Sequence, residues 1–268
     1  MTETTAPRTV ATNGIELSYV EEGEGEPLLL IMGLGADASA WQLHLEAYRE
    51  RFHCFAVDNR GAGASSKPAG PYSTQQMADD YAGLVRALGL SPVRVVGISM
   101  GGAIAEQLAL RHPDLVERMV IVSSWARCDD YTAEVLRHFA AVRARVTPAE
   151  FTQLLQLWIW GPGYVAAHLD ELREERAADA SPPMAQAAFE AQCAACIAHD
   201  TVARLHEIGA PTLITAGAAD IFTPLRFAQE LHARISGSEL HVFPDAAHAH
   251  HWECLDMFNE LTSAWLAA

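Results

Sequence analysis

The sequence predicts an α/β fold, in which a mostly parallel sheet of about eight strands is flanked by helices and carries an inserted helical cap. Three observations predict it. Short apolar, β-branched runs recur along the chain, helix-length amphipathic stretches separate most of them, and one long interval has no strand pattern.

The strand-like runs are a hairpin from about Thr9 to Glu21, then Leu28 to Met32, Phe52 to Asp58, Arg94 to Ile98, Met119 to Ser123, Leu213 to Ala216 and Leu240 to Phe243. The hairpin reads as an antiparallel edge on an otherwise parallel sheet. From about Trp125 to Ile208 only helical patterns occur, broken at Thr147-Pro148, Gly161-Pro162-Gly163 and Ser181-Pro182-Pro183. The expected organisation is a core of residues 1–124 and 209–268, with a helical cap over 125–208. The apolar run Phe151 to Trp160 belongs to that cap, and Trp125, Trp158 and Trp160 are its candidate pocket residues, although such a stripe also describes plain helix packing.

With 268 residues, half of them hydrophobic, the chain can bury a large core. A formal charge of −16 argues against nucleic acid or an anionic membrane as a partner, and points to a neutral, moderately hydrophobic small molecule. Self-association is left open. The one lysine, Lys67, lies in a turn and leaves little room for Schiff-base chemistry. Five cysteines, an odd number, and an opening Met1-Thr-Glu-Thr-Thr5 without an apolar leader fit a reducing cytoplasm. No apolar run approaches the roughly 20 residues that cross a bilayer.

The chemistry centres on Val95-Val96-Gly97-Ile98-Ser99-Met100-Gly101-Gly102. Gly-x-Ser-x-Gly alone is weak, but here it follows an apolar strand and opens a good helix, the setting of a nucleophile elbow. Gly97 and Gly101 lack the Cβ atoms that would collide as the chain reverses, and Gly102 lets helix and sheet approach. Ser99 would then stand at a helix N-terminus, with the Met100 N–H able to stabilise an oxyanion. The competing reading is a serine in an ordinary glycine-rich turn.

A serine hydroxyl needs an imidazole to take its proton, and a carboxylate to orient that imidazole. The last strand runs into a loop holding His248, His250 and His251, among which the residues alone leave the choice divided. Asp220, just beyond the strand Pro211 to Gly217, is the candidate acid; its alternative is a turn or N-cap aspartate, and Asp129 and Asp130 are the fallbacks. No His-Glu-x-x-His helix is present, so no metal is expected. Cys193 and Cys196 read as packing on one helix face rather than as a redox pair.

The strand end Met32-Gly33-Leu34-Gly35-Ala36-Asp37-Ala38 is ambiguous. With Asp58 at the end of the next strand it also describes a dinucleotide-binding fingerprint, hence an NAD-dependent oxidoreductase. In a hydrolase the same glycines present the Leu34 N–H as a second oxyanion donor. Only the hydrolase reading also accounts for Ser99, Asp220 and His248 together.

Assembled, these pieces resemble the α/β-hydrolase fold superfamily over essentially the whole chain: Met32 to Gly35, Asp58 to Ser65, Gly97 to Gly102, Gly217 to Asp220, and His248 followed five residues later by Glu253. The resemblance selects His248 over His250 and His251, and implies a cap after the sixth strand. It is similar within the superfamily to esterases and 3-oxoadipate enol-lactonases, and also to carbon–carbon bond hydrolases. Met32 departs from the His-Gly that such proteins often carry. The activity implied is hydrolysis of an ester or lactone by Ser99, His248 and Asp220, with Leu34 and Met100 N–H groups as the oxyanion hole and no cofactor. Perhydrolase or lyase chemistry on the same residues, and a non-catalytic small-molecule receptor, are the alternatives, since fold does not fix function.

Overall fold

The computed structural model describes residues 6–178 and 184–268; the Ser181-Pro182-Pro183 break and Met1 to Thr5 lie outside the described residues. Eight strands form one sheet: β1 (Arg8–Thr12), β2 (Ile15–Glu22), β3 (Glu26–Ile31), β4 (Phe52–Val57), β5 (Val93–Ile98), β6 (Val116–Val122), β7 (Thr212–Gly217) and β8 (Glu239–Phe243). Their order is β1-β2-β4-β3-β5-β6-β7-β8, with the β1–β2 and β2–β4 pairs antiparallel and all later neighbours parallel. The expected strand ends hold to within a few residues. The largest difference is at β6, which begins at Val116 because Val116 and Arg118 pair with Val93 and Arg94 across a register shift that skips the exposed Glu117.

The central strands are apolar on both faces, as a sheet covered by helices on both sides requires. Successive residues alternate between two cores. Leu29, Ile31, Val95 and Ile121 point into one, while Leu28, Leu30, Val96 and Val120 point into the other. Helices α1 (Gln42–Tyr48) and, at the C-terminus, Leu255–Ala267 cover the second core; α2 (Thr74–Leu88), α3 (Met100–Arg111) and Leu225–Arg234 cover the first.

Between β6 and β7 the described residues are helical: α4 (Asp130–Arg143), α5 (Pro148–Ile159), α6 (Pro162–Ala167), α7 (Leu169–Ala178) and α8 (Gln186–Ala198). The two proline breaks among the described residues are helix starts. Thr147 and Glu150 form a capping box around Pro148, and Pro162 opens α6. The two ends of this segment meet in a bridge between Arg127 and Asp200, beside which Thr201 donates to the Ala126 carbonyl at 2.8 Å. Beneath the bridge the fully buried Glu106 of α3 accepts from the Thr201 hydroxyl at 2.6 Å and lies 3.2 Å from His199 Nε2. The chain continues through α9 (Leu225–Arg234), α10 (His250–Glu253) and α11 (Leu255–Ala267). Among the described residues no helix is long and apolar enough to cross a membrane.

The turn from β5 into α3 leaves no room for side chains at its glycines. A Cβ on Gly97 would lie 2.3 Å from the Gly101 carbonyl oxygen, and one on Gly101 would lie 2.1 Å from the Ile31 carbonyl oxygen of β3. Both obstacles are backbone, so neither can rotate away. Gly101→Ala should therefore destabilise the fold by about 1–3 kcal/mol through overpacking. Gly163→Ala, where a new Cβ meets nothing within 4 Å, should leave stability unchanged or raise it slightly. Thermal melts of the two variants check this; equal melting temperatures would contradict the packing argument.

Candidate active site

Ser99 sits between β5 and α3 with φ 55 and ψ −117, a conformation that non-glycine residues rarely adopt and that stores about 1–3 kcal/mol of strain. Its N–H donates to the Val122 carbonyl at 2.8 Å, which ties the turn to β6, and its own carbonyl accepts the Gly102 and Ala103 N–H groups that start α3. The side chain thus projects beyond the strand ends at a helix N-terminus. The loop after β3 passes close by: a Cβ on Gly33 would lie 3.2 Å from Ser99 Cβ. Neither the Leu34 nor the Met100 N–H meets an acceptor among the described residues.

Asp220 follows β7 and His248 follows β8, so both arrive at the same edge of the sheet as Ser99. His248 Nδ1 lies 2.9 Å from Asp220 Oδ2. The turn-aspartate reading of Asp220 is also true, because its other oxygen accepts the N–H groups of Phe222 and Thr223, each at 2.8 Å. One carboxylate therefore shapes its own loop and holds the imidazole. Burial favours the neutral acid, but the adjacent imidazole and the hydrogen bonds from His248 and Thr223 outweigh it and hold Asp220 below the usual carboxylate range. Asp129, a fallback acid, instead caps α4 and pairs with Arg226.

Two partners of this arrangement escaped the sequence reading. Thr223 donates its hydroxyl to Asp220 Oδ2 at 2.7 Å and lies 3.0 Å from His248 Nδ1, and Ser123 donates to the His248 carbonyl at 2.8 Å. Thr223 follows Asp220 by three residues, a spacing typical of side-chain capped turns, and could have been suspected from it. Glu253, singled out only by resemblance, accepts the Ala247 N–H at 3.0 Å and the Gly161 N–H at 3.1 Å, and so fixes the loop before His248 against the start of α6.

Ser99, His248 and Leu34 line one cavity of about 750 Å³, walled on the helical side by Phe139, Phe151, Leu155 and Phe189. The tryptophan assignments need correction. Phe151, Thr152, Leu155 and Ile159 form the cavity face of α5, which leaves Trp158 beside that face, packed 5.5 Å from the Phe139 ring and 6.4 Å from Phe222. Trp125 is buried in the core, and Trp160 stacks on Tyr164 at 4.4 Å. Trp252 supplies the tryptophan of the wall. Asp58, the residue that kept the dinucleotide reading alive, is buried and accepts the Ala38 and Ala64 N–H groups at 2.7 and 2.8 Å, which leaves no oxygen directed at a ribose. Cys193 and Cys196 are buried on α8, and all five cysteines are free.

A serine on a left-handed turn, an imidazole held by a carboxylate, and the Leu34 and Met100 N–H groups are thus gathered at one end of a mostly parallel sheet. A family model described as the alpha/beta hydrolase fold matches residues 26–254, and the chain belongs to that family. It is 30% identical over 250 residues to the "Putative carbamate hydrolase RutD" of Azorhizobium caulinodans, covering 92% of this chain and 93% of that one. It is 28% identical over 258 residues to 3-oxoadipate enol-lactonase 2 of Acinetobacter baylyi, covering 96% and 95%. Among solved structures, the enol-lactonase of Burkholderia xenovorans superposes with a TM-score of 0.89 at 26% identity, covering 97% of this chain and 100% of that one.

The remaining histidines of the cluster make polar contacts of their own. His250 lies between Ser123 Oγ at 3.2 Å and Thr215 Oγ1 at 3.0 Å. His251, at the cavity wall, lies 3.1 Å from His44 Nε2, whose Nδ1 meets Asn259 Oδ1 at 2.7 Å. Burial lowers His44 to about 4 and His250 to about 3, and it also depresses His251, where the neighbouring imidazoles add to it. These groups fold neutral, while the unfolded chain binds their protons near the ordinary histidine value of 6.5. Their stability contribution is complete above about pH 6.5 and is lost as the pH falls through the window below it, by about 1 kcal/mol per pH unit for each histidine. The urea midpoint should thus fall clearly between pH 7 and pH 5; a constant midpoint would contradict the burial of these three rings as neutral groups.

Proposed function

We propose that the protein is a serine hydrolase that cleaves a carboxylic ester or lactone through an acyl-enzyme. The observation that carries this reading is the His248–Asp220 bond of 2.9 Å, which commits Nδ1 and leaves Nε2 of an imidazole that shares its cavity with Ser99. In this mechanism Ser99 Oγ bonds to the substrate carbonyl carbon as its proton passes to His248 Nε2. The carbonyl π pair moves onto oxygen, where the Leu34 and Met100 N–H groups stabilise it. The tetrahedral species collapses, the bond to the leaving oxygen breaks, and His248 returns the proton to that oxygen. Water then repeats the sequence on the acyl-enzyme, releasing the acid and regenerating Ser99. Asp220 stays ionised throughout and stabilises the imidazolium.

The relatives support a hydrolytic reaction, because one is named an enol-lactonase and another is named for carbamate hydrolysis. The helices of residues 125–208 serve in this reading as a cap over the core of residues 1–124 and 209–268. The aromatic wall they contribute favours a moderately hydrophobic substrate.

Ser99→Ala should lower kcat on p-nitrophenyl butyrate by at least about a thousandfold, the scale on which loss of a triad nucleophile is felt. Its melting temperature should stay near that of the parent, since alanine fits the same turn. Hydrolysis at the parental rate by the folded variant would overturn the assignment.

A further inference from the structure

The Leu34 N–H lies between Gly33 and Gly35, so the loop's own residues do little to fix where it points. The peptide units on either side are both pinned from elsewhere. Before it, the Met32 carbonyl accepts Asn59 Nδ2 at 2.9 Å, and Asn59 Oδ1 in turn accepts the Tyr81 hydroxyl at 2.9 Å. After it, the Gly35 N–H donates to Gln192 Oε1 at 3.0 Å, while Gln192 Nε2 donates to the Arg60 carbonyl at 3.0 Å. Gln192 is fully buried and belongs to α8 of the helical segment, 157 residues from the loop it holds. The same helix touches the loop a second time, with the Phe189 ring 3.1 Å from where a Cβ on Gly35 would lie, at a glycine whose φ is +78.

We propose that Gln192 is a positioning residue for the oxyanion hole, reaching out of the helical segment to fix the peptide that carries the Leu34 N–H. This rests on the serine-hydrolase reading. With the Gly35 N–H held, the peptide between Gly33 and Leu34 is clamped on both sides and keeps its N–H toward the carbonyl oxygen of a substrate on Ser99. Without that bond, two glycine-flanked peptides are free to rotate together. A rotated peptide presents the Gly33 carbonyl oxygen instead, which repels an oxyanion. The helical segment then contributes to rate as well as to the shape of the cavity.

The test uses the full chain, p-nitrophenyl acetate as substrate and 2,2,2-trifluoroacetophenone as inhibitor. Addition of Ser99 Oγ to the ketone carbon, with transfer of its proton to His248, places an oxyanion where the reaction does. Gln192→Leu and the more adaptable Gln192→Met remove both polar atoms at similar volume, whereas Gln192→Glu keeps an acceptor for the Gly35 N–H. Expected are a fall in kcat of about tenfold to a hundredfold for the apolar variants with KM within twofold, and a rise in the ketone Ki by the same factor. Gln192→Glu should recover most of both. The inference is overturned if either apolar variant, folded by its melting curve, keeps kcat and Ki, or if KM moves and Ki does not. If the parent protein neither hydrolyses the ester nor binds the ketone, the serine-hydrolase reading itself has failed.

Discussion

The close approach of three backbones at Ser99 is the constraint on which the rest of the site depends. For a serine to stand above the strand ends, β5 must reverse into α3 within a few residues, and the reversal places the Gly101 region against the Ile31 carbonyl of β3. That contact leaves no room for side chains at Gly97 or Gly101. It also brings the loop after β3 so near the serine that its second residue, Gly33, would meet Ser99 Cβ at 3.2 Å if it carried a Cβ. The proximity of a nucleophile to a neighbouring backbone N–H is thus a consequence of strand spacing and turn geometry. The left-handed backbone of Ser99 is the energetic cost, and the Val122 carbonyl bond and the first bonds of α3 hold it in place.

The other loops at that edge of the sheet reach their positions by sharing atoms between structural and chemical tasks. Asp220 closes its own turn with one oxygen and faces His248 with the other. Glu253 links the His248 loop to Gly161, and Gln192 links α8 to Gly35 and Arg60. A third link runs from Glu106 of α3 to Thr201 and His199 at the end of the helical segment. All three are buried or half-buried polar contacts, strong because water is largely excluded and costly to leave half-made. The helical segment is therefore joined to the core at the points where the core holds Ser99, His248 and the Leu34 loop.

Much of this was legible in the sequence, for reasons that can be named. The β-branched runs marked the strands because a sheet covered on both faces must be apolar throughout, and the glycines around Ser99 marked a turn that tolerates nothing larger. Asp220 was legible because it follows such a strand closely, whereas the last strand pointed only to the loop of His248, His250 and His251, and the family resemblance chose His248 among them. Position along the chain therefore predicted position in space. The same logic failed for the cavity wall. Which side of α5 faces the cavity depends on how that helix packs, and the sequence favoured the large Trp158 and Trp160 where Phe139, Phe189 and Trp252 do the lining. Asp58, a ribose ligand only in the competing dinucleotide reading, accepts two loop N–H groups instead, a role that its place at a strand end does not announce. Gln192 carried no local signal, since its partners lie 157 and 132 residues away.

The central claim is that Ser99 is an activated nucleophile, and covalent labelling reads activation directly because an ordinary surface serine does not react. The protein would be treated with a fluorophosphonate, digested, and the modified peptide sequenced by mass spectrometry. The account predicts a single stoichiometric adduct on Ser99 that vanishes in His248→Ala. No adduct, or one on another residue at the same rate, would contradict it.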